Sequence, residues 1–371
     1  MKIKITRGRL QDALKRVSGV ADGRTSLPIL ANVKMTADKD GLTLMTSNLD
    51  ITMSTKVTEC EVLEEGTTTA PMKKLEQIVS VLPSEDVEVT SNEKENVKFV
   101  SGGVKMTVLG LPAVDFPVLA EMKNPVTYTL KGSAFADVLR KSAYAMSKDD
   151  TRRTLKSVLL VLDGKTIVAV GTDGRRLGTG EAECVAEGEA DKKEYVVPDV
   201  AVAILQRLVD NAADITIKGG DGQFSFSQCD GRDFIHTKLV DGQYPNYKQV
   251  IPAKGSADIA VDRNEMLAML NRSLVMASGS EPYVHLKFGA NTIDLTADSD
   301  DGGKIHDTIP ARYSGKEISI SFNPRYLIDT LKSLDSDIVE MNTDEENPHR
   351  PIAINGEAEK GLAVVMPLRI A

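Results

Sequence analysis

KKLEQIVSVLPSEDVEV, residues 73–89, reads as an amphipathic helix, an acidic turn and a short strand, and the pattern recurs twice more. The second version is VAILQRLVDNAADITI (202–217) and the third is RYLIDTLKSLDSDIVEM (325–341). Their closing leucines, Leu82, Leu208 and Leu334, stand 126 and 126 residues apart. Two further trios keep nearly the same period. The helical segments RGRLQDALKRVSG, KGSAFADVLRKSAYAM and DRNEMLAMLNRSLVMA align on Leu14, Leu139 and Leu270. The strand-like GLTLMTSNLD, TIVAVGTDGRR and TIDLTADSDD align on Leu42, Ile167 and Ile293. Three anchors in one order at one period indicate a tripled domain and not chance alternation of helix and strand. The expected domains are 1–124, 125–253 and 254–371.

An exit phrase supports the division. LPAVDFPVL (111–119) closes the first copy and LVDGQYPNY (239–247) the second, each with Asp, an aromatic and Pro in order, while the third ends in GLAVVMPLRIA. Inside each copy, β-branched runs are joined by Asp-Gly or Asn turns such as ADKDGL, LDGKTI and FGANTI, which predict antiparallel hairpins. The expected class is α+β, with two helices per copy packed on one side of antiparallel sheet.

The totals exclude several functions. A chain of 371 residues, 41% hydrophobic and 27% charged, can build a core for each domain and is not a disordered tether. No run of eighteen apolar residues occurs and MKIKITRGRL has no apolar signal core, so a cytoplasmic protein without membrane contact is expected. Cys60, Cys184 and Cys229 show no CxxC spacing, which predicts reduced thiols rather than a disulfide framework or a zinc site.

The mean charge of -9 argues against nucleic acid, but its distribution does not. Six helices are predicted, at 7–18, 71–82, 132–147, 199–210, 263–275 and 324–334, and they carry thirteen basic against seven acidic residues. The remainder of the chain is correspondingly acidic. Repeated copies present equivalent helices on a common face, so the pattern predicts a cationic track within an acidic shell. Such a track suits duplex DNA held through its phosphates without base readout.

Chemistry-bearing motifs are missing. His236, His285, His306 and His349 are dispersed with no metal-ligand spacing, and DGKT at Lys165 lacks the glycine that shapes a phosphate loop. DSDDGGKIHDTI, from Asp298, fails as a calcium loop at Gly302 and at Ile309. No nucleophile has a neighbouring base. The expectation is a protein with no cofactor, no metal and no catalytic residue. Two segments remain as binding elements: GTDGRRLG, with two arginines after a tight turn, and the terminal VVMPLRI. Together they would form an apolar groove with a cationic rim, suited to a short peptide.

The chain resembles, nearly end to end, the family of bacterial DNA polymerase III beta subunits, the sliding clamps. The resemblance runs through MKIKITRGRL, GRTSLPIL, TDGRRL, KLVDGQYPNY, FNPRYL and VVMPLR. It implies three repeated clamp domains and a head-to-tail homodimer that closes a six-domain ring around duplex DNA. The ring would be a non-catalytic processivity factor for DNA polymerase, also bound by the clamp loader and other proteins with a clamp-binding motif. Twelve helices about 10 Å wide would span a circumference of about 120 Å, a bore of about 38 Å that accepts DNA loosely.

Matched motif by motif, the resemblance places a partner-peptide groove between the second and third domains. Its residues would be Leu155, Thr172, Gly174, Arg175, Arg176, Leu177, Pro245, Val250, Asn323, Tyr326, Val364, Met366, Pro367, Leu368 and Arg369. Apolar members would take Leu or Phe anchors, and Arg176 and Arg369 would steady the peptide's polar groups. DNA contacts would fall to Arg24, Lys73, Lys148, Arg152 and Arg153, with Asp149 a departure where relatives carry a neutral polar residue. Ring closure would use Lys105, Val108 and Leu109 against Val275 and Met276, with the acidic run from Asp298 to Asp301 facing Lys105. The rival readings are a non-encircling three-domain scaffold for proteins and an enzyme whose site the motifs do not reveal.

Overall fold

The computed structural model describes residues 1–21, 26–188, 191–277, 282–299 and 302–369. Among them are six α-helices: α1 Arg7–Val17, α2 Met72–Val81, α3 Gly132–Ala143, α4 Asp199–Leu208, α5 Arg263–Met276 and α6 Pro324–Lys332. Three begin at side-chain caps: Thr6 accepts from the Arg9 amide, Asp262 from those of Asn264 and Glu265, and Asn323 from that of Arg325. Each such cap stabilises its helix by about 1 kcal/mol.

Five helices end earlier than the periodicity predicts, α1 and α2 by one residue, α4 and α6 by two and α3 by four. After Ala143 the chain tightens, with the Ala145 amide on the Ser142 carbonyl and that of Met146 on Ala143, so α3 does not reach Ser147. At the end of α4 the Gln228 side chain takes over, donating from Nε2 to the Leu208 carbonyl and accepting from the Asp210 amide, both at 2.9 Å.

The repetition goes deeper than three. Every helix follows one strand and precedes three, so each repeat is itself two strand–helix–three-strand halves, apart from the short extra strands Glu61–Glu64 and Val185–Ala186. The halves exchange their leading strands. Lys2–Thr6 joins the sheet built after α2, and Gly66–Pro71 joins the one built after α1. The same exchange pairs Val126–Lys131 with Asp214–Gly220 and Lys193–Pro198 with Ser157–Leu162. In the third repeat it pairs Ala257–Asp262 with Ile338–Thr343, and Ile318–Phe322 with Val284–Gly289. All of these ladders are antiparallel, as the turns predict. A repeat therefore has two sheets where one was expected, and α1 and α5 each touch both of theirs.

The chain forms two compact units, residues 1–132, 186–188 and 207–239 in one, and 133–185, 189–206 and 240–371 in the other. The middle repeat is shared between them, one sheet to each. Within the first unit, Asp233–Lys238 pairs with Ile51–Val57 and merges sheets of the first two repeats into one of nine strands. Within the second unit, Gly361–Val365 pairs with Arg176–Glu183 and merges the next two into one of eight. In both cases the last strand of one repeat adds to the strand that closes the first half of the repeat before it. Two strands in those positions lie at free sheet edges among the described residues: Val104–Leu109 and Lys304–Pro310.

In the second unit, one face of the eight-stranded sheet shares a core with α5, α6 and the four-stranded sheet, built around Met266, Leu286, Phe288, Phe322 and Leu327, each no more than 1% exposed. A second cluster, Leu159, Val161, Val170, Leu177, Val196 and Val364, is closed by Tyr244. The exit phrase explains itself here. Its aromatic residue is buried in both copies, Phe116 at 3% and Tyr244 at 7% exposure. The Tyr244 hydroxyl donates to the Val170 carbonyl at 3.3 Å, and burial pushes its ionisation far above that of a free tyrosine. No helix among the described residues is long and apolar enough to cross a membrane.

Candidate functional site

The predicted groove residues lie within the second unit. Thr172 to Arg176 form a tight turn: the Asp173 carboxylate accepts from the Arg175 and Arg176 amides at 2.8 and 3.0 Å, and Gly174 takes φ 87°, where a side chain would be strained. The tail after Gly361–Val365 runs from this turn to a neighbouring strand. The Met366 amide bonds the Arg175 carbonyl at 2.9 Å and the Leu368 amide bonds that of Ser321 at 2.8 Å. Met366, Pro367 and Leu368 thereby bridge the second and third repeats beside α6.

Thr172, Leu177 and Val364 are buried in the floor, whereas Val250 and Met366 are 46% and 38% exposed and can meet a visitor. Leu155 and Tyr326 are half-buried, and Arg175, Pro245 and Arg369 are exposed. Asn323 is spent on the α6 cap. Tyr244, Val170 and Val196 complete the floor and escaped the sequence reading; the buried aromatic of the exit phrase is the signal that could have found Tyr244.

Arg176 is more enclosed than a rim residue, its side chain 5% exposed. Nη1 lies 2.6 Å from Asp329 Oδ2 and Nε 3.2 Å from Asp173 Oδ2. The guanidinium sits 4.8 Å from the Tyr326 ring centre and 5.6 Å from that of Tyr144. Thr330, one turn beyond Tyr326, donates to the Tyr144 hydroxyl at 3.3 Å.

The first unit contains the counterpart of this site. There the turn Ser47–Ile51 is held by Asn48, whose side chain accepts from the Asp50 and Ile51 amides at 3.1 and 2.8 Å. The Lys238 amide bonds the Asp50 carbonyl at 2.8 Å, matching the bond of Met366 to Arg175. The side chains differ. Where Leu177 pairs with Val364, the first unit pairs Thr52 with His236, and Ile51 replaces Arg176. One backbone arrangement is thus built twice, and only the copy in the second unit has an apolar floor.

The cations divide differently from the sequence count. Arg140 and Lys141 of α3 are bound to Asp137, Asp335 and Glu359, with Lys141 buried, so neither offers free positive charge. Arg7, Arg9, Arg16 and Arg272 pair with Glu85, Glu59, Asp233 and Asp307. Six of the thirteen helical cations are therefore tied to acids. Among the described residues Lys15, Lys73, Lys74, Arg207, Arg325 and Lys332 are exposed and enter no ion pair. Lys15 and Arg207 line one cleft of about 410 Å³ in the first unit.

Lys148, Arg152 and Arg153 are exposed on the loop before Ser157–Leu162. The hydroxyl and amide of Thr151 hold the Asp149 carboxyl below its usual range, and Arg152 lies 3.6 Å from it. Arg152 is thus partly neutralised. Arg24 lies outside the described residues, as do Asp300 and Asp301 of the acidic run. Lys105 and Leu109 are exposed on the free edge strand, with Val108 turned into its own core at 7% exposure. Val275 at the end of α5 is 76% exposed, Met276 half-buried. No group of three His, Cys, Asp or Glu among the described residues is arranged to hold a metal ion.

Comparison with known proteins agrees with this architecture. Residues 1–120 match the DNA polymerase III beta subunit N-terminal domain, 129–246 its central domain and 248–369 its C-terminal domain. The beta sliding clamp of Chlamydia muridarum is 28% identical over 100% of this chain and 99% of its own length. That of Vibrio cholerae is 27% identical over 100% of both. The crystal structure of the DNA polymerase III subunit beta from Pseudomonas aeruginosa superimposes with a TM-score of 0.92 at 25% identity, covering 100% of both chains. Three successive domain matches, in order and spanning nearly the whole sequence, show that this chain belongs to the DNA polymerase III beta subunit family, the beta sliding clamps.

Proposed function

We propose that the chain is the non-catalytic processivity factor of a DNA polymerase: two copies join head to tail into a ring that encircles duplex DNA. The ring tethers polymerase, clamp loader and other replication or repair proteins through short apolar motifs in the groove between repeats two and three. The domains are taken as 1–124, 125–253 and 254–371, and the protein as cytoplasmic. Lys73, Lys148, Arg152 and Arg153, with Arg24, would touch DNA phosphates, and the exposed helical cations would add a diffuse field. Loose contact is what sliding requires.

The observation that carries this reading is the pair of free edges. Twice within the chain, a repeat's last strand adds to the fourth strand of the repeat before it, and Val104–Leu109 and Lys304–Pro310 are the last and fourth strands left over. A second copy supplies each with its missing partner, and open edges are otherwise an aggregation hazard. The internal junctions also suggest a register for this pairing. Met53 faces Ile235 and Gly178 faces Ala363, and by the same register Ile305 would lie opposite Met106 of a second copy. Arg272 needs no partner across that junction, since Asp307 of its own chain lies 2.6 Å away.

Sedimentation at micromolar concentration should give about twice the chain mass of 40.1 kDa. A Met106→Cys, Ile305→Cys double variant should oxidise to a covalent dimer, whereas Lys105→Cys with Ile305→Cys, on opposite sheet faces, should not. A monomer at all concentrations would favour the non-encircling scaffold instead.

A further inference from the structure

Building on the groove reading above, we infer that Arg176 is a positioning residue, clamped by Asp329 and Asp173, which fixes Tyr326 in the groove wall and does not itself meet the peptide. An arginine that receives a visitor keeps donors turned toward solvent. This one lies 5% exposed, with Nε and Nη1 directed at two carboxylates of its own chain and the Tyr326 and Tyr144 rings close by. Guanidinium suits that task because its planar fork can bridge two acceptors while stacking on aromatic rings.

The arginine is not there to make the turn. Ser47–Ile51 adopts the same hydrogen-bonded turn with Ile51 in that place, and there the floor is polar. Arg176 and the apolar floor occur together, in the second unit only. The other half of the clamp comes from one helix. Tyr326, Asp329 and Thr330 of α6 are spaced i, i+3 and i+4, so they share a face. Tyr326 forms the wall, Asp329 holds Arg176, and Thr330 holds Tyr144, the second ring beside Arg176. Asp329 thereby locks α6 to the Asp173–Arg176 turn and sets the distance between the groove's two sides. With Tyr144 and the edge of Arg176 it also lines a cleft of about 430 Å³, so an asparagine there meets no packing obstacle.

The test uses the full-length protein, Asp329→Asn and Asp329→Glu. The probes are two fluorescent pentapeptides, both with Leu and Phe anchors, one with polar and one with alanine intervening side chains. Asp329→Asn is expected to weaken both peptides equally, by about tenfold and chiefly through faster dissociation. Asp329→Glu is expected to restore most of the affinity, and all three proteins should melt cooperatively well above the assay temperature, so that the loss is not unfolding. A loss confined to the polar peptide would mean that Arg176 binds it directly and would overturn the positioning role, as would equal affinity of Asp329→Asn and the unaltered chain. Failure of the unaltered chain to bind either peptide would overturn the groove reading itself.

Discussion

Leu177 and Val364 face one another across the strands that join the second repeat to the third, and Thr52 and His236 occupy the same two places between the first and second. The backbone bonds beside them are equivalent, so the chemistry of this pair distinguishes the apolar site from its polar counterpart. Transplanting the polar pair tests that statement. Leu177→Thr with Val364→His should weaken an anchored peptide at least about tenfold, since each buried aliphatic side chain is worth about 1.5–3 kcal/mol. Peptide anisotropy measures the loss, with a thermal melt to show that the fold persists; unchanged affinity would remove the pair from the groove floor.

His236 itself should titrate unusually. Burial lowers its pKa below the ordinary 6.5. The folded protein keeps the ring neutral while the unfolded chain takes up a proton, so stability is complete above about pH 6.5 and declines as pH falls through that value. Proton NMR of the imidazole resonances should show His236 titrating below the ordinary 6.5. A normal midpoint would mean that the ring is open to solvent.

The repeat junctions should make the molecule acid-sensitive. Burial opposes ionisation of Asp233 and Glu359, yet Gln228, Thr55 and Arg16 hold the first below its usual range, and Lys141 with the Ser336 and Asp335 amides hold the second. Depressed carboxyl pKa values contribute stability that is present above about pH 4 and lost as pH falls through the folded values. Lys141 shifts oppositely: burial would lower it, but Glu359 and Asp137 keep it raised, so its share is lost only in strong alkali. Glu359→Gln leaves Lys141 without its nearest counter-charge and should cost about 3 kcal/mol. Urea unfolding at pH 7 and pH 3.5 checks both points, because the variant should also lose part of the acid dependence.

Much of the fold was legible because helices announce themselves through spacing. Leu10, Leu14 and Val17, or Leu327, Ile328 and Leu331, give a buried stripe that repeats with the domain. The second level of duplication was hidden, since the strand exchange pairs Lys2–Thr6 with a strand more than eighty residues later and leaves no local trace. Net charge misled in a specific way. Counting Arg140 and Lys141 as free presumes exposure, whereas both are neutralised by Asp137 on their own helix and by acids of the next repeat, Asp335 and Glu359. Arg176 shows the same blindness at the groove: its motif was visible, its enclosure by Asp329 and two rings was not.

The central claim is topological: the protein holds DNA by surrounding it, with few fixed contacts. Its most direct measurement is retention of the full-length protein, loaded by its clamp loader, on closed circular duplex DNA before and after a single cut by a restriction enzyme. Encirclement predicts stable retention on the circle at moderate salt and rapid loss once an end exists, because the ring slides off. Equal retention on circular and linear DNA, falling with salt alike for both, would mean that the protein grips phosphates from one side and would contradict the ring.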